Sequence, residues 1–208
     1  QEELSQEDLE RWLGKSEVMY KTYSIDYVEE KKYQSLIDCG GGVFTQYDLI
    51  QERGLDIRYI GTEITKKFVD IGAQKGIEVY HCPVQKMSVP DNCCEIALCL
   101  AVLNHQTEFT ESIKELLRVA EKEVVISFFK PFADSRRGMT EVKDAIKKFP
   151  IFNSDRNIGI TVLRNEKFVY TYFFKNKIID FLNHLPVDYF FHTLEDNTIM
   201  LHIDKQGN

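Results

Sequence analysis

Apolar and polar positions change period along the chain, and the changes separate a long alternating part from a shorter paired part. Residues 35–39 form a short apolar run that ends in three glycines. Residues 58–62, 78–82, 95–100 and 123–129 read as four further strands. The last two are apolar almost throughout, as expected of strands covered on both faces. Helical periodicity lies between them. Residues 44–53 read as a helix stopped by Gly54. Thr65 can cap a helix whose apolar face is Phe68 and Ile71, with Gly76 as its stop. Phe109, Ile113, Leu116, Leu117 and Ala120 fall on one face of a third helix. Strands alternating with helices predict βαβ units and a parallel sheet.

The pattern changes after residue 129. Residues 130–155 read as a polar helical insertion. Residues 160–163 and 168–173 flank Arg164-Asn165-Glu166-Lys167 as a hairpin. Ile178, Ile179, Leu182 and Leu185 predict a short helix that Pro186 terminates. Residues 189–193 and 198–203 flank Glu195-Asp196-Asn197 as a second hairpin. A parallel α/β body is therefore expected to end in an antiparallel pair. With 208 residues and no internal repeat, residues 1–208 are expected to form one domain.

Composition narrows the function classes. Hydrophobic residues make up 43% and charged residues 28%, the profile of a soluble globular chain. No apolar run is long enough to span a bilayer. The acidic start, Gln1 to Leu13, lacks the basic and apolar regions of a secretory signal, so a cytoplasmic location is expected. The net charge of −7 argues against nucleic acid or anionic membrane as the main partner. One local exception is Lys130, Arg136, Arg137, Lys143, Lys147 and Lys148, interspersed with Asp134, Glu141 and Asp144. It reads as a solvated helix face or, functionally, as a patch that meets an acidic substrate. The five cysteines, Cys39, Cys82, Cys93, Cys94 and Cys99, are odd in number, and most lie in apolar strands. That predicts free thiols in a reducing compartment. Neither Cys93-Cys94 nor His81-Cys82 has zinc-ligand spacing, so no metal is expected.

The chemistry concentrates where residues 36–39 run into Gly40-Gly41-Gly42. Glycines there permit a tight turn and close approach of a ligand to the backbone. The helix that follows offers unpaired N–H groups. A dinucleotide would use such a loop for its pyrophosphate and call for G-x-G-x-x-G. Counting from Gly40 reaches Thr45 where the third glycine should stand. Asp38 would also repel a pyrophosphate. Its carboxylate suits a cation instead, such as the ammonium of S-adenosylmethionine. Glu63, at the end of the second strand, can accept hydrogen bonds from both ribose hydroxyls, as acids at that strand end do in NAD sites too. Ile64 can pack on an adenine face.

On these residues the chain resembles the class I, Rossmann-like S-adenosylmethionine-dependent methyltransferases, particularly the small-molecule type labelled methyltransferase domain 11. The resemblance rests on Leu36–Gly42, on Glu63, on residues 87–97 (similar to the family's LPF-x-D-x-S-F-D segment) and on residues 101–105 (similar to its xVLHH segment). It departs at Phe44, where the family often has glycine, at Pro83, where many members have an aspartate, and at Lys130-Pro131, which lacks the usual glycine. The resemblance implies a seven-stranded, mostly parallel sheet of order 3-2-1-4-5-7-6, with the last strand antiparallel and helices on both faces. It implies S-adenosylmethionine as cofactor and S-adenosylhomocysteine as product. The cofactor contacts it implies are Asp38, Gly40, Gly41, Gly42, Glu63, Ile64, Val84 (through its backbone), Gln85 and Leu100. It further implies an N-terminal helical cap over residues 1–33, so that one of Tyr20, Tyr23 and Tyr27 could touch the cofactor; aromatic packing is the alternative. Residues 130–173 are expected to be a substrate-side insertion.

The expected reaction is methyl transfer to an oxygen or nitrogen of a small molecule, acidic or hydroxylated. His105 is a candidate general base, or else a cap or packing residue. A macromolecular acceptor is the second reading, weakened because Leu100-Ala101-Val102-Leu103 stands where amino-methylating enzymes carry N-P-P-Y. A non-catalytic protein of the same fold is the third.

Overall fold

The apolar runs pair into a seven-stranded main sheet and a three-stranded one. The computed structural model describes residues 18–164 and 168–206. The acidic start, the first half of the expected cap and part of the first hairpin turn lie outside the described residues. In chain order the elements are α1 (Met19–Lys31), β1 (Ser35–Cys39), α2 (Thr45–Glu52), β2 (Arg58–Glu63), α3 (Lys66–Gln74) and β3 (Glu78–His81). Then follow β4 (Cys94–Leu100), a 3-10 turn (Leu103–His105), α4 (Thr110–Val119), β5 (Ala120–Phe128) and α5 (Arg136–Lys148). The last are β6 (Ile151–Asp155), β7 (Gly159–Leu163), β8 (Val169–Phe173), α6 (Lys175–Leu182), β9 (Val187–Thr193) and β10 (Ile199–Lys205). The main sheet has the order β3-β2-β1-β4-β5-β10-β9. β1 to β5 pair in parallel, and β10 runs antiparallel to β5 and β9. With β6–β8 set aside, this is the expected order.

The pleat explains why the middle of β1, β4 and β5 is apolar on both faces. Ile37, Cys39, Ala97, Cys99, Val124 and Ile126 feed one core, with Ile113 and Leu116 of α4 and Ile178 and Leu182 of α6. Leu36, Ile96, Leu98 and Val125 point the other way, to Ile25 and Val28 of α1 and Ile50 of α2. Among the described residues no helix is long and apolar enough to cross a membrane.

Two details differ from the sequence reading. The buried face of α3 is Phe68, Val69 and Gly72, and Ile71 is only half-buried. The insertion is not helical to residue 155. Pro150 cannot continue the helix, and β6 follows it, pairing antiparallel with β7, which pairs antiparallel with β8. α5 lays Val142 and Ala145 against Val162 and Tyr172 of this small sheet. The sheet is tied to the end of β4 by Asn104. Its Nδ2 donates to Thr171 O at 2.8 Å, and its Oδ1 accepts from the N–H of Phe129 at 3.0 Å. Thr171 in turn donates to the Gln106 carbonyl at 2.5 Å.

Candidate active site

The carboxyl ends of β1, β2 and β4 meet at the glycine loop. Gly40 and Gly41 donate their N–H groups to the Thr62 carbonyl at 2.8 and 3.1 Å, folding the loop back onto β2. Gly40 has φ 79, and a Cβ there would stand 2.7 Å from Val102. Phe44, at the position of the family's third glycine, also has a left-handed φ of 58. Its ring is fully buried. A Cβ on Gly41, Gly61 or Gly72 would come within 2.6 Å of that ring. The side chain that replaces one glycine is thus accommodated by three others, on the loop, on β2 and on α3.

Asp38 is 1% exposed. Its Oδ2 accepts from the Tyr59 hydroxyl at 2.5 Å. Burial pushes its pKa up to about 6; the Tyr59 hydrogen bond and the charge of Lys21 oppose that rise, and Glu63 adds to it. Lys21 comes from α1, is itself 8% exposed, and donates from Nζ to Thr45 Oγ1 at 2.9 Å. Burial likewise pushes the Tyr20 hydroxyl up to about 12, with Asp38 adding.

Glu63 holds the loop and the start of α3 together. Its Oε1 accepts from the N–H groups of Ile64 and Thr65, both at 2.8 Å, and its Oε2 from Gly42 N–H at 3.0 Å. This replaces the side-chain cap expected of Thr65, which is at the N-cap but makes no such bond. A carboxylate has about four acceptor sites, so the capacity left is on Oε2.

The glycine loop, Asp38 and Glu63 border one cavity of about 430 Å³. It is lined by Asp38, Gly40, Gly41, Gly42, Glu63, Ile64, Val84, Gln85 and Leu100, with His105 at the same wall as Gln106, Phe168 and Val169. Every expected cofactor contact therefore lines the same cavity, together with the candidate base His105. Lys21 and Gln46 line it too and were missed, because a polar residue in a helix has no local mark of burial. Of the three N-terminal tyrosines only Tyr20 reaches the cavity. Tyr27 donates to Glu123 at 2.9 Å, and Tyr23 meets His202 Nε2 at 3.2 Å. His202 and Tyr33 also bind Glu123, at 2.8 Å each. This buried network pins α1 to β5 and β10.

His105 packs against the rings of Phe129, Phe168 and Tyr170. Its Nδ1–H donates to the Val169 carbonyl at 3.2 Å. Burial lowers its pKa, the Val169 bond opposes that, and Arg164 and Lys130 lower it further. The favoured form is a neutral imidazole whose Nε2 is an acceptor. None of the six basic residues of 130–148 lines the cavity. Arg136, Arg137, Lys143, Lys147 and Lys148 are exposed on α5, where Arg137 pairs with Glu141 and Lys147 with Asp144. The solvated-face reading holds for these five.

Residues 37–128 match the family model described as methyltransferase domain. No curated protein matches the sequence significantly. Among solved structures, the chain resembles a S-adenosylmethionine-dependent methyltransferase from Thermotoga maritima, described as a possible histamine N-methyltransferase. The TM-score is 0.63 at 12% identity, covering 96% of each chain. A second is the 1,6-didemethyltoxoflavin-N1-methyltransferase of Burkholderia thailandensis, with 1,6-didemethyltoxoflavin and S-adenosylhomocysteine bound. Its TM-score is 0.62 at 12% identity, covering 92% of this chain and 80% of that one. A third is a S-adenosylmethionine-dependent methyltransferase from Clostridium acetobutylicum. Its TM-score is 0.64 at 9% identity, covering 94% and 95%. At these identities the likeness is one of fold.

Proposed function

We propose that the chain moves a methyl group from S-adenosylmethionine to an oxygen or nitrogen of a small molecule: residues 37–128 match a methyltransferase-domain family model, and the fold is shared with solved S-adenosylmethionine-dependent methyltransferases. The observation that carries this reading is the pair of buried carboxylates, Asp38 and Glu63, on one cavity with a glycine loop between them. Such a cavity favours a cationic, ribose-bearing ligand over a pyrophosphate. Its volume of about 430 Å³ falls among small-molecule sites. A structural neighbour with 1,6-didemethyltoxoflavin and S-adenosylhomocysteine bound points the same way.

Each lining residue has a role in this reading. Asp38 accepts from the donor's ammonium. Gly40, Gly41 and Gly42 let the backbone come close. Glu63 accepts from a ribose hydroxyl through Oε2. Ile64 packs on the adenine, Val84 offers its backbone, Gln85 its amide, and Leu100 closes the wall. The bound donor supplies a methyl carbon already activated by sulfonium. What the protein must add is alignment of nucleophile, methyl and sulfur. For an acceptor that keeps its proton, Nε2 of His105 takes it, while the Val169 carbonyl holds the ring in the correct tautomer. The cavity draws no charge from the exposed basic cluster, so an acceptor with a hydroxyl or amine suits it better than an anionic one.

Thermal unfolding with S-adenosylmethionine, S-adenosylhomocysteine and NAD tests the reading, since a ligand that binds the folded state raises stability. The first two are expected to raise the midpoint and NAD to leave it unchanged, and Asp38→Ala should remove the response. A response to NAD alone would overturn the reading. A methyl-transfer screen over hydroxylated and amine-bearing metabolites then identifies the acceptor.

A further inference from the structure

Among the described residues seven large apolar side chains are exposed, and four of them, Met139, Ile146, Ile151 and Phe152, fall between residues 139 and 152, each 41–58% exposed. Scattered surface hydrophobics are ordinary, whereas a contiguous set rimmed by polar groups marks a contact surface. On α5 the contiguity follows from helical spacing. Gly138, Val142 and Ala145 form its buried stripe. Met139 and Ile146 share the flank beside that stripe, with Lys143 between them and Arg136 one turn before Met139. Lys147 stands one turn beyond Lys143. Pro150 then leads into β6, whose register sets Ile151 beside Val162, the residue that clusters with Val142 and Ala145. Phe152 falls at a shift in that register. Residues 136–152 hold five of the 26 basic residues and two of the 33 acidic ones, so the segment carries +3 and the rest of the chain −10. The whole-chain value of −7 averages this contrast away. The two acids lie on the other side of α5, where Glu141 pairs with Arg137 and Asp144 with Lys147.

We propose that α5 and the start of β6, solvated in the free chain, form a peripheral docking surface for anionic lipid. Met139, Ile146, Ile151 and Phe152 enter the headgroup boundary, while Arg136, Lys143 and Lys147 meet lipid phosphates and carboxylates. A helix that lies in a membrane interface has this make-up, an apolar flank bordered by Lys and Arg at low overall hydrophobicity. Four or more basic residues on an amphipathic helix recognise anionic lipid, and α5 carries five. Protein partners fit less well, because their interfaces are depleted of lysine and α5 has Lys143, Lys147 and Lys148. A second copy placed symmetrically on this face would set its own basic residues against these. The acidic remainder of the chain is repelled by the same lipid surface, which turns the basic segment toward it. None of these residues lines the cavity, so the surface stands apart from the proposed chemistry.

Flotation of the full chain with vesicles of phosphatidylcholine, and of phosphatidylcholine mixed with phosphatidylserine, tests the surface. The mixed vesicles should bind roughly tenfold or more tightly, and added salt should weaken that binding. Lys143→Gln with Lys147→Gln, and separately Ile146→Ser with Phe152→Ser, should each lower it about tenfold or more. Both pairs are exposed and outside the cavity, so the thermal midpoint and the affinity for S-adenosylhomocysteine should stay as in the wild type. Equal binding to the two vesicle types, or binding to neither, overturns the proposal whatever the variants do. So does binding that salt leaves unchanged, or that either variant retains in full. A dimer that Ile146→Ser with Phe152→Ser disperses, without vesicle binding, would assign the face to a second copy. Polyglutamate that binds as tightly as the mixed vesicles, with no loss in the apolar variant, would assign it to an acidic protein segment. Each of these two results overturns the lipid reading.

Discussion

Lowering the pH from 7.5 to 5 should weaken binding of S-adenosylhomocysteine in a way that reports directly on Asp38. Its pKa of about 6 follows chiefly from burial. At pH 5 only about one molecule in ten carries the anion, so the apparent affinity should fall about tenfold, or about 1.4 kcal/mol. Above about pH 7 the affinity should be level. A carboxylate with an ordinary value near 3.9 would stay ionised at pH 5 and give almost no change. The assay is calorimetric titration at constant ionic strength in two buffers of different ionisation enthalpy. Below pH 6 binding should release a proton from Asp38, and the two buffers reveal it. Asp38→Asn should bind weakly and without pH dependence over this range. A level wild-type affinity down to pH 5, or an Asn variant that binds as tightly as wild type at pH 7.5, would refute the role given to this carboxylate. The ligand-free chain should show the opposite slope. The folded pKa of Asp38 lies above its unfolded value of 3.8, so its contribution to stability is fully present below about pH 3.8. That contribution is lost as the pH rises through about 6, and it amounts to about 3 kcal/mol.

Other outcomes follow from the same geometry. Gly72→Ala would place a Cβ 2.6 Å from the Phe44 ring and should cost about 1–3 kcal/mol in chemical unfolding; unchanged stability would mean that the ring is not held there. His105→Ala should lower kcat by about 10²–10⁴ for a protonated acceptor while leaving S-adenosylhomocysteine affinity intact, and an equal loss in both would assign the residue to packing. Glu123 is buried, yet hydrogen bonds from His202, Tyr33 and Tyr27 hold its pKa below the usual carboxylate range. Its contribution is therefore present above that range and lost as the pH falls through the lowered value. Glu123→Ala should cost about 3–5 kcal/mol and should also weaken donor binding, because α1 carries Tyr20 and Lys21; stability lost with donor affinity retained would detach α1 from the site.

The glycine loop was legible because its signals are local. A strand, an acid and three glycines occupy seven consecutive residues, Leu36–Gly42, and each acts through its own backbone or charge. The second acid was legible for the same reason, since the turn after β2 brings Glu63 to the carboxyl edge of any parallel sheet. Phe44 read as a departure and nothing more. Its meaning depends on Gly61 and Gly72, which have no sequence relation to it until β2 and α3 pack over the loop. β6 was read as helix because Ile151–Asp155 has no apolar alternation, and four of its five residues are exposed. A strand at the edge of a small sheet is defined by its partner, not by its own pattern.

The sequence by itself determined the succession of strands and helices up to residue 129, the parallel body they form and the place where a ligand would meet it. These follow from side-chain periodicity and turn chemistry, which act over a few residues. Only the tertiary structure decided which groups face that ligand. It turned Tyr20 inward, Tyr23 toward His202 and Tyr27 toward Glu123, left the basic residues of α5 in water, and buried Lys21 in the cavity wall that also holds Asp38. Those outcomes depend on desolvation and on pairing between residues far apart in the chain, so no local pattern carries them.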